Sequence, residues 1–365
     1  MPFDSGRVSF SICTLPESLP ADALQKFTEQ RGQPLEMVND QPQFGWVTGR
    51  HLLDTRIDEE TAYAGGFLHL SLRTAQRKIP AALLKAECRM SELAMMSTRH
   101  SHHITRKEKK TIKAEVSERL IKDMPPTLTG IPFVVDEQTK LMYVGTATPP
   151  RLERFLQLFN DTIGMYPVPL TPEMVAEDEA GVSLDTLHPL IFSPEKSYSD
   201  EAGGVGRDFA TWLWYFQEAE GGEFSVPSLG TFGIMIDGPL VFTSEGPGAH
   251  ESTIRKGTPT TSAEAKAALV VGKKLNRARY IMARQDEYWV FTLEAPNFGF
   301  SGMALPLGEA LDPMSQFEQR VLSLDIFRQA FVAIFTRYLN EIGTPEKAKS
   351  LTGRVQGWVA GMKSL

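Results

Sequence analysis

The sequence contains little cysteine and no long apolar run. Cys13 and Cys88 are the only two cysteines among 365 residues, and so low a count favours a reducing cytosol, although one disulfide is formally possible. No apolar stretch of about eighteen residues occurs, and the N-terminal residues carry no basic run followed by an apolar core. We therefore predict neither a membrane span nor a secretory signal, and we expect a cytoplasmic protein.

The sequence also lacks the common catalytic motifs. Gly272-Lys273 is followed by lysine instead of serine or threonine, so it is not a phosphate-binding loop. Gly203-Gly204-Val205-Gly206 lacks the spacing of a dinucleotide-binding loop, and neither a nucleophile elbow nor a zinc-protease helix is present. We therefore expect no cofactor and no efficient enzyme.

Two groups of residues keep a metal-dependent alternative open. The cluster His100-Ser101-His102-His103 could bind a transition metal, but a polar turn that adds partial positive charge explains it more simply. Asp136, Glu137 or Asp237 could hold a divalent ion in a metal-dependent DNA exonuclease, which is the rival function. Acids at strand ends and turns are common without catalysis, so we predict no metal site.

Charge is distributed unevenly along the chain. The formal net charge is −7, which by itself argues against a nucleic-acid partner. Residues 73–122, however, hold thirteen Lys and Arg against five Glu, a balance of +8 that leaves −15 for the remainder. Because a protein's field depends on where its charges lie, a basic segment in an acidic chain could line a DNA-binding groove. It could equally be one solvated pair of helices.

A helix from Thr105 to Lys122 is the most informative predicted element. Thr105 and Glu108 form a capping box, and Pro125-Pro126 ends the helix. Five cations cover about half of the helical wheel, at ~100° per residue; they are Arg106, Lys107, Lys109, Lys110 and Lys113. Lysine and arginine near phosphates release counterions and so bind DNA without sequence preference. Most charged helix faces are simply solvated, which is the competing interpretation.

Further basic residues lie in the second half of the chain. Arg255-Lys256 stands in a polar loop and could touch a phosphate backbone, although an ordinary exposed loop would look the same. Lys273-Lys274, near Arg277 and Arg279, lies at a predicted helix end, where cations also favour the helix dipole. Trp212 and Trp214 could stack on bases, but alternating tryptophans in a short apolar segment are more typical of a core.

The pattern of elements predicts an α+β fold, with mixed α/β layers, antiparallel sheets and several domains. Asp237-Gly238 predicts a hairpin, Thr261 and Glu264 a second capping box, and 315–342 a long amphipathic helix. The predicted organisation is an α+β domain (1–170) with its basic helical segment (80–122), a linker or insertion (171–208), a second α+β domain (209–310) and C-terminal helices (311–365).

Several segments together resemble the RdgC family of recombination-associated proteins. The order and spacing hold over Phe44–Leu170 and are patchy from Phe209 to Ala283. The matching pieces are Phe44-Gly45-Trp46-Val47, Arg77-Lys78-Ile79-Pro80, Glu108-Lys109-Lys110-x-x-Lys113-x-Glu115-Val116, Phe133-x-x-Asp136, Pro167-x-Pro169-Leu170, Ile254-Arg255-Lys256 and Gly272-Lys273.

The resemblance implies a homodimer that closes into a ring around DNA. It implies binding to single and double strands without sequence preference, association with the nucleoid, and modulation of RecA-dependent recombination and replication. It also implies that Arg77 and Lys78, the basic helix, and Arg255 and Lys256 face DNA. The family is often labelled as exonucleases, but no motif here supports that activity. Met124-Pro125-Pro126 departs from the family at a segment near the ring closure.

Overall fold

The computed structural model describes residues 2–99, 103–196, 204–244, 250–308, 310 and 312–362. They fall into two compact units. Unit 1 comprises Met1–Leu19, Tyr63–Leu68 and Pro132–Leu365, and unit 2 comprises Pro20–Ala62 and His69–Ile131. The proposed division into four ranges along the chain stays a prediction about independent folding.

The described residues form ten α-helices and thirteen strands, besides short 3₁₀ and π turns. The helices are α1 (Ala23–Glu29), α2 (Glu59–Ala62), α3 (Ala81–Arg99), α4 (Arg106–Asp123), α5 (Pro149–Ile163), α6 (Pro172–Met174), α7 (Val205–Glu220), α8 (Ala263–Val270), α9 (Pro313–Ile342) and α10 (Pro345–Gly361). The strands are β1 (Val8–Thr14), β2 (Gln43–Thr48), β3 (Tyr63–Ala64), β4 (Phe67–Arg77), β5 (Pro126–Asp136), β6 (Leu141–Val144), β7 (Val168–Pro169), β8 (Glu223–Val226), β9 (Gly230–Thr243), β10 (Glu251–Ile254), β11 (Lys274–Arg284), β12 (Glu287–Glu294) and β13 (Gly299–Ala304).

Unit 1 is built on an antiparallel sheet with the order β10-β9-β11-β12-β13-β1-β6-β5. In unit 2, β4 pairs antiparallel with β2. Helices and antiparallel sheet therefore occur together, and the predicted α+β class is confirmed at this level. None of the helices among the described residues is long and apolar enough to cross a bilayer.

The core of unit 1 is rich in aromatic residues. Phe209 of α7 lies 4.8 Å from Phe335 of α9, and Phe327 of α9 lies 5.0 Å from Phe300 of β13, measured between ring centroids. These edge-to-face contacts join the two helices and the sheet. Trp212 and Trp214 are both fully buried, which excludes them from stacking on bases. The segment predicted as a linker also contributes here, since Leu190 and Phe192 are buried in the same core.

Two predicted details are wrong. Asp237-Gly238 does not turn a hairpin: β9 continues through it, and residues on both sides pair with β11, Ile236 with Tyr280 and Leu240 with Ala278. The cap of α8 is Ser262 instead of Thr261, because the Ser262 hydroxyl accepts the Ala265 N–H. Strands β11 and β12 form an antiparallel hairpin, and α9 matches the predicted long helix closely.

Candidate nucleic-acid interface

Helix α4 begins where its sequence predicts. The Thr105 hydroxyl accepts the Glu108 N–H, and the Glu108 carboxylate accepts the Thr105 N–H at 2.8 Å, which completes the capping box. The Thr105 N–H and hydroxyl both donate to this carboxylate, as does Arg99, and these hydrogen bonds lower the pKa of Glu108 to about 2. Ile112 and Val116 are buried. The cap thus fixes the start of α4, and this apolar pair fixes which face turns away from solvent.

The solvent-exposed side of α4 carries the predicted cations, all of which are exposed: Arg106, Lys107, Lys109, Lys110 and Lys113. They make no ion pair with any residue that the structure describes. At ~100° per residue they span an arc of about 160°, and Glu108, Glu115 and Glu118 fall outside it. This arc, the basic face of α4, is therefore free of acids.

Three arginines of α3 and α4 outside this face form ion pairs with acids. Arg89 pairs with Glu92 on α3 at 3.2 Å, and Arg119 of α4 pairs with Glu87 of α3 at 2.6 Å. Arg99 at the end of α3 pairs with Glu108. The Arg119–Glu87 and Arg99–Glu108 pairs join α3 to α4. All three pairs engage acids with cations outside the basic face, so the positive charge of that face is not neutralised by them.

Arg77 and Lys78 occupy different environments. Arg77 donates from Nε to the Val38 carbonyl at 2.7 Å and from Nη1 to the Met124 carbonyl. Its guanidinium therefore ties the end of β4 to the residue that follows α4, which is a structural task. Lys78, the next residue, is exposed at the entry to α3.

The second set of predicted cations lies in unit 1. Arg255 and Lys256 are exposed immediately after β10, while residues 245–249 of the same predicted loop lie outside the described residues. Lys273 is half-buried and its Nζ donates to the Ser252 hydroxyl at 2.8 Å. Only the exposed members of this set are suited to meeting a phosphate directly.

Lys274 is buried. Its Nζ lies 2.6 Å from Asp208 Oδ1, and the two side chains are 6% and 1% exposed. Asp208 Oδ2 also accepts the Leu190 N–H at 2.9 Å. Lys274 starts β11 instead of ending a helix, so strand pairing carries it into the interior of unit 1. We therefore leave it out of the surface that we propose below.

The acids of the rival exonuclease hypothesis are engaged separately. Asp136 Oδ1 accepts the Gln138 N–H at 2.9 Å, Glu137 accepts the Tyr63 hydroxyl at 2.6 Å, and Asp237 pairs with Arg279 at 3.3 Å. Among the described residues no group of three His, Cys, Asp or Glu could hold a metal ion. His100 and His102 lie outside the described residues, and His103 is exposed.

The two cysteines are not joined by a disulfide. Both Cys13 and Cys88 are free, so the formally possible disulfide is not formed. Burial raises the pKa of the Cys13 thiol far above its ordinary value. A neutral thiol is a weak nucleophile, and Cys13 is therefore a packing residue.

Sequence reasoning also missed that Arg73 is buried. Arg73 belongs to the +8 segment, yet it is only 3% exposed. Its guanidinium donates to the carbonyls of Leu52 and Gln33. Alternation along β4 predicts a polar face at this position, and only the packing of the loops around it shows that Arg73 is enclosed.

The structure thus defines an α+β protein that presents an acid-free basic helix face. The family described as "Putative exonuclease, RdgC" matches residues 11–180. A recombination-associated protein RdgC from Pseudoalteromonas atlantica is 29% identical over 119 residues, which cover 32% of this chain and 38% of that relative. The resemblance to the RdgC family is therefore confirmed for the part of the chain that contains the basic helix.

Proposed function

We propose that this chain binds DNA without sequence preference and acts in recombination. The observation that carries the proposal is the basic face of α4, where five exposed cations have no acid partner among the described residues. Exposed cations without an acid partner can neutralise DNA phosphates and release the counterions condensed on the DNA, and this release supplies affinity for any sequence. The name of the Pseudoalteromonas atlantica relative supports the link to recombination.

The residues proposed to contact DNA are those of the basic face of α4 and further cations elsewhere in the chain. Lys78 lies in unit 2 with α4, and Arg255 and Lys256 lie in unit 1. Lys273 is a weaker member because its amine already bonds Ser252. Arg77 supports the site by fixing the ends of β4 and α4. We propose that these cations contact DNA in a ring-shaped homodimer associated with the nucleoid.

We propose that the chain influences recombination by occupying DNA. A ring that covers duplex or single strands would withhold them from RecA, and so would restrain RecA-dependent exchange and affect replication. This mechanism needs no catalytic residue. It separates the proposal from the exonuclease alternative, since end-labelled DNA incubated with Mg²⁺ or Mn²⁺ should keep its length.

The central test is the salt dependence of binding to unrelated duplexes. Log affinity should fall with log salt at a slope of about −0.9 for each phosphate contact. Replacing Lys107, Lys109, Lys110 and Lys113 with Gln should weaken binding to all sequences alike and make the slope shallower, because each lost contact removes its share. Fluorescence anisotropy over a salt series measures both quantities.

A matched variant controls for net charge. Lys26, Lys140, Lys347 and Lys349 lie outside the proposed contact set, and their replacement with Gln changes the net charge by the same amount. This control should retain the affinity and slope of the unmodified chain. Equal losses in both variants, or a flat salt dependence of the unmodified chain, would contradict the proposal.

A further inference from the structure

Unit 2 contains a large cavity away from the basic face of α4. Its volume is about 1050 Å³. Three arginines line it, namely Arg31, Arg56 and Arg73, against a single acid, Glu29. A cavity of this size accommodates a nucleotide-sized molecule.

Arg73 is the unusual member of the cavity wall. It is 3% exposed, and its hydrogen bonds go to the backbone carbonyls of Leu52 and Gln33, which are neutral. It makes no ion pair with any residue that the structure describes. A buried charge is costly unless an opposite charge accompanies it, and burial lowers the pKa of Arg73 accordingly. An anion in the cavity would supply the missing charge.

The other charged groups of the cavity divide into engaged and available ones. Arg56 pairs with Asp58 at 2.6 Å and Glu60 at 3.2 Å. Glu29 accepts the Gln25 side-chain amide at 2.9 Å. Arg31 is exposed and has no ion pair among the described residues. Arg31 and Arg73 are thus the two cations that an entering anion would meet.

Gly32 determines where the Arg73 guanidinium lies. A Cβ atom at position 32 would stand 2.5 Å from Arg73 Nη2 and 2.6 Å from its Cζ. The glycine therefore lets the guanidinium lie directly against the backbone beside Arg31. Leu53 and Met37, which are 54% and 66% exposed, add apolar surface to the cavity wall. Two arginines and exposed apolar side chains in one cavity wall suit a phosphate group attached to a ring.

We propose that this cavity binds the phosphate of a nucleotide through Arg73 and Arg31, with the ring against Leu53 and Met37. Two sources carry this chemistry: a free nucleotide, or the phosphorylated end of a DNA strand. The site is separate from the proposed DNA-binding face and does not depend on it. It assigns a ligand to a buried arginine that DNA on α4 leaves unexplained.

Calorimetric titration with adenosine 5′-diphosphate and with adenosine tests the free-nucleotide source. The diphosphate should bind more tightly than adenosine. Replacing Arg31 with Gln should weaken it on the order of tenfold, the usual effect of losing a charge-assisted hydrogen bond. Arg50→Gln is the matched control, because Arg50 is exposed in the same unit, does not line the cavity and donates to the Glu60 carbonyl.

Oligonucleotides of one sequence with a 5′-phosphate or a 5′-hydroxyl test the second source. A preference for the phosphate that disappears in Arg31→Gln assigns the site to DNA ends, while binding of the free diphosphate alone assigns it to nucleotides. Gly32→Ala keeps every charge but displaces the Arg73 guanidinium, and it should weaken the same probe. Circular dichroism verifies that each variant is folded.

The four-lysine variant of α4 separates this proposal from the DNA-binding proposal, since it should lose duplex affinity and keep the phosphate preference. The cavity proposal is overturned if neither probe is preferred over its phosphate-free counterpart. It is also overturned if Arg50→Gln weakens binding as much as Arg31→Gln does.

Discussion

The buried ion pair of Lys274 and Asp208 is expected to be the most sensitive single contact of unit 1. Asp208→Asn keeps the shape but removes the charge that accompanies the Lys274 ammonium at 2.6 Å. Breaking a buried pair on one side typically costs about 3–5 kcal/mol of unfolding free energy, because a charge is left in the interior. Denaturant unfolding of the single variant should show a loss of this size.

The double variant Asp208→Asn with Lys274→Met supplies the control. It removes both charges, so its loss of unfolding free energy should be smaller than that of Asp208→Asn alone. If the double variant loses as much unfolding free energy as the two single variants together, pairing of the two charges is not the cause of the instability.

Residue type alone could not distinguish Lys274 from Lys273. Lys273 precedes β11 and Lys274 is its first residue, and their shared pattern predicted two exposed cations at a helix end. In the structure the Lys273 amine bonds Ser252, whereas the Lys274 ammonium lies beside Asp208. The acid that receives Lys274 lies 66 positions earlier in the chain, and a single sequence does not reveal such pairings. Arg73 was missed for the same reason.

At the scale of elements, the cap of α4 predicts a measurable shift in acid titration. The pKa of Glu108 is about 2 in the folded chain, against an ordinary value of 4.5, because Thr105 and Arg99 donate to its carboxylate. Since the folded pKa is depressed, the stabilisation is complete above about pH 4.5 and is lost as pH falls through 2. Thr105→Ala removes one donor and should move the midpoint upward, which carbon NMR of the Glu108 carboxyl group measures.

Thr111→Ala is the control within the same helix. The Thr111 hydroxyl donates to the Lys107 carbonyl at 3.3 Å and does not contact the cap, so its removal should leave the Glu108 midpoint unchanged. Loss of the N-cap also weakens the helix, typically by ~1 kcal/mol. An unchanged Glu108 midpoint in Thr105→Ala would mean that the capping box does not govern this carboxylate.

Elements with local signals were predicted well, and those that depend on distant pairing were not. The start of α4 follows from Thr105 and Glu108, which lie three positions apart, so that their hydrogen bonds are local. Asp237-Gly238 also carries a local signal, and Gly238 does adopt a positive φ of 94°. The chain nevertheless stays in one strand, because β11 offers partners to both halves of β9. A turn dipeptide shows which backbone angles are accessible, whereas the neighbouring strand decides whether the chain reverses.

At the scale of the whole molecule, the sequence showed how charge is distributed but did not show how subunits assemble. The chain combines a net charge of −7 with a +8 segment, and the exposed cations of α4 account for much of the latter. Whether basic residues from two units line one path depends on subunit arrangement, which composition does not encode. The homodimer is therefore a proposal, and α3 offers a specific way to test it.

Helix α3 has no buried residue among its nineteen, although it packs beside α4. Leu83, Met90 and Leu93 are 36%, 57% and 50% exposed, and their spacing of seven and three residues places them on one face of the helix. Apolar residues that recur every three or four positions along a helix are typical of helices that pack in oligomers. We therefore expect a second copy of this chain to cover this face in the proposed homodimer.

Replacing Leu83, Met90 and Leu93 with Gln should convert the dimer to a monomer, because the buried apolar area of the interface is lost while glutamine preserves helix propensity. Sedimentation velocity measures the change in mass. Met235, Met314 and Leu322 are about equally exposed in unit 1, and their replacement with Gln should leave the dimer intact. A dimer that survives the α3 changes, or an unmodified chain that is monomeric, would contradict this assignment.

The monomeric variant should still bind duplex DNA through the basic face of α4, but with a shallower salt slope, because each particle then contributes one set of phosphate contacts instead of two.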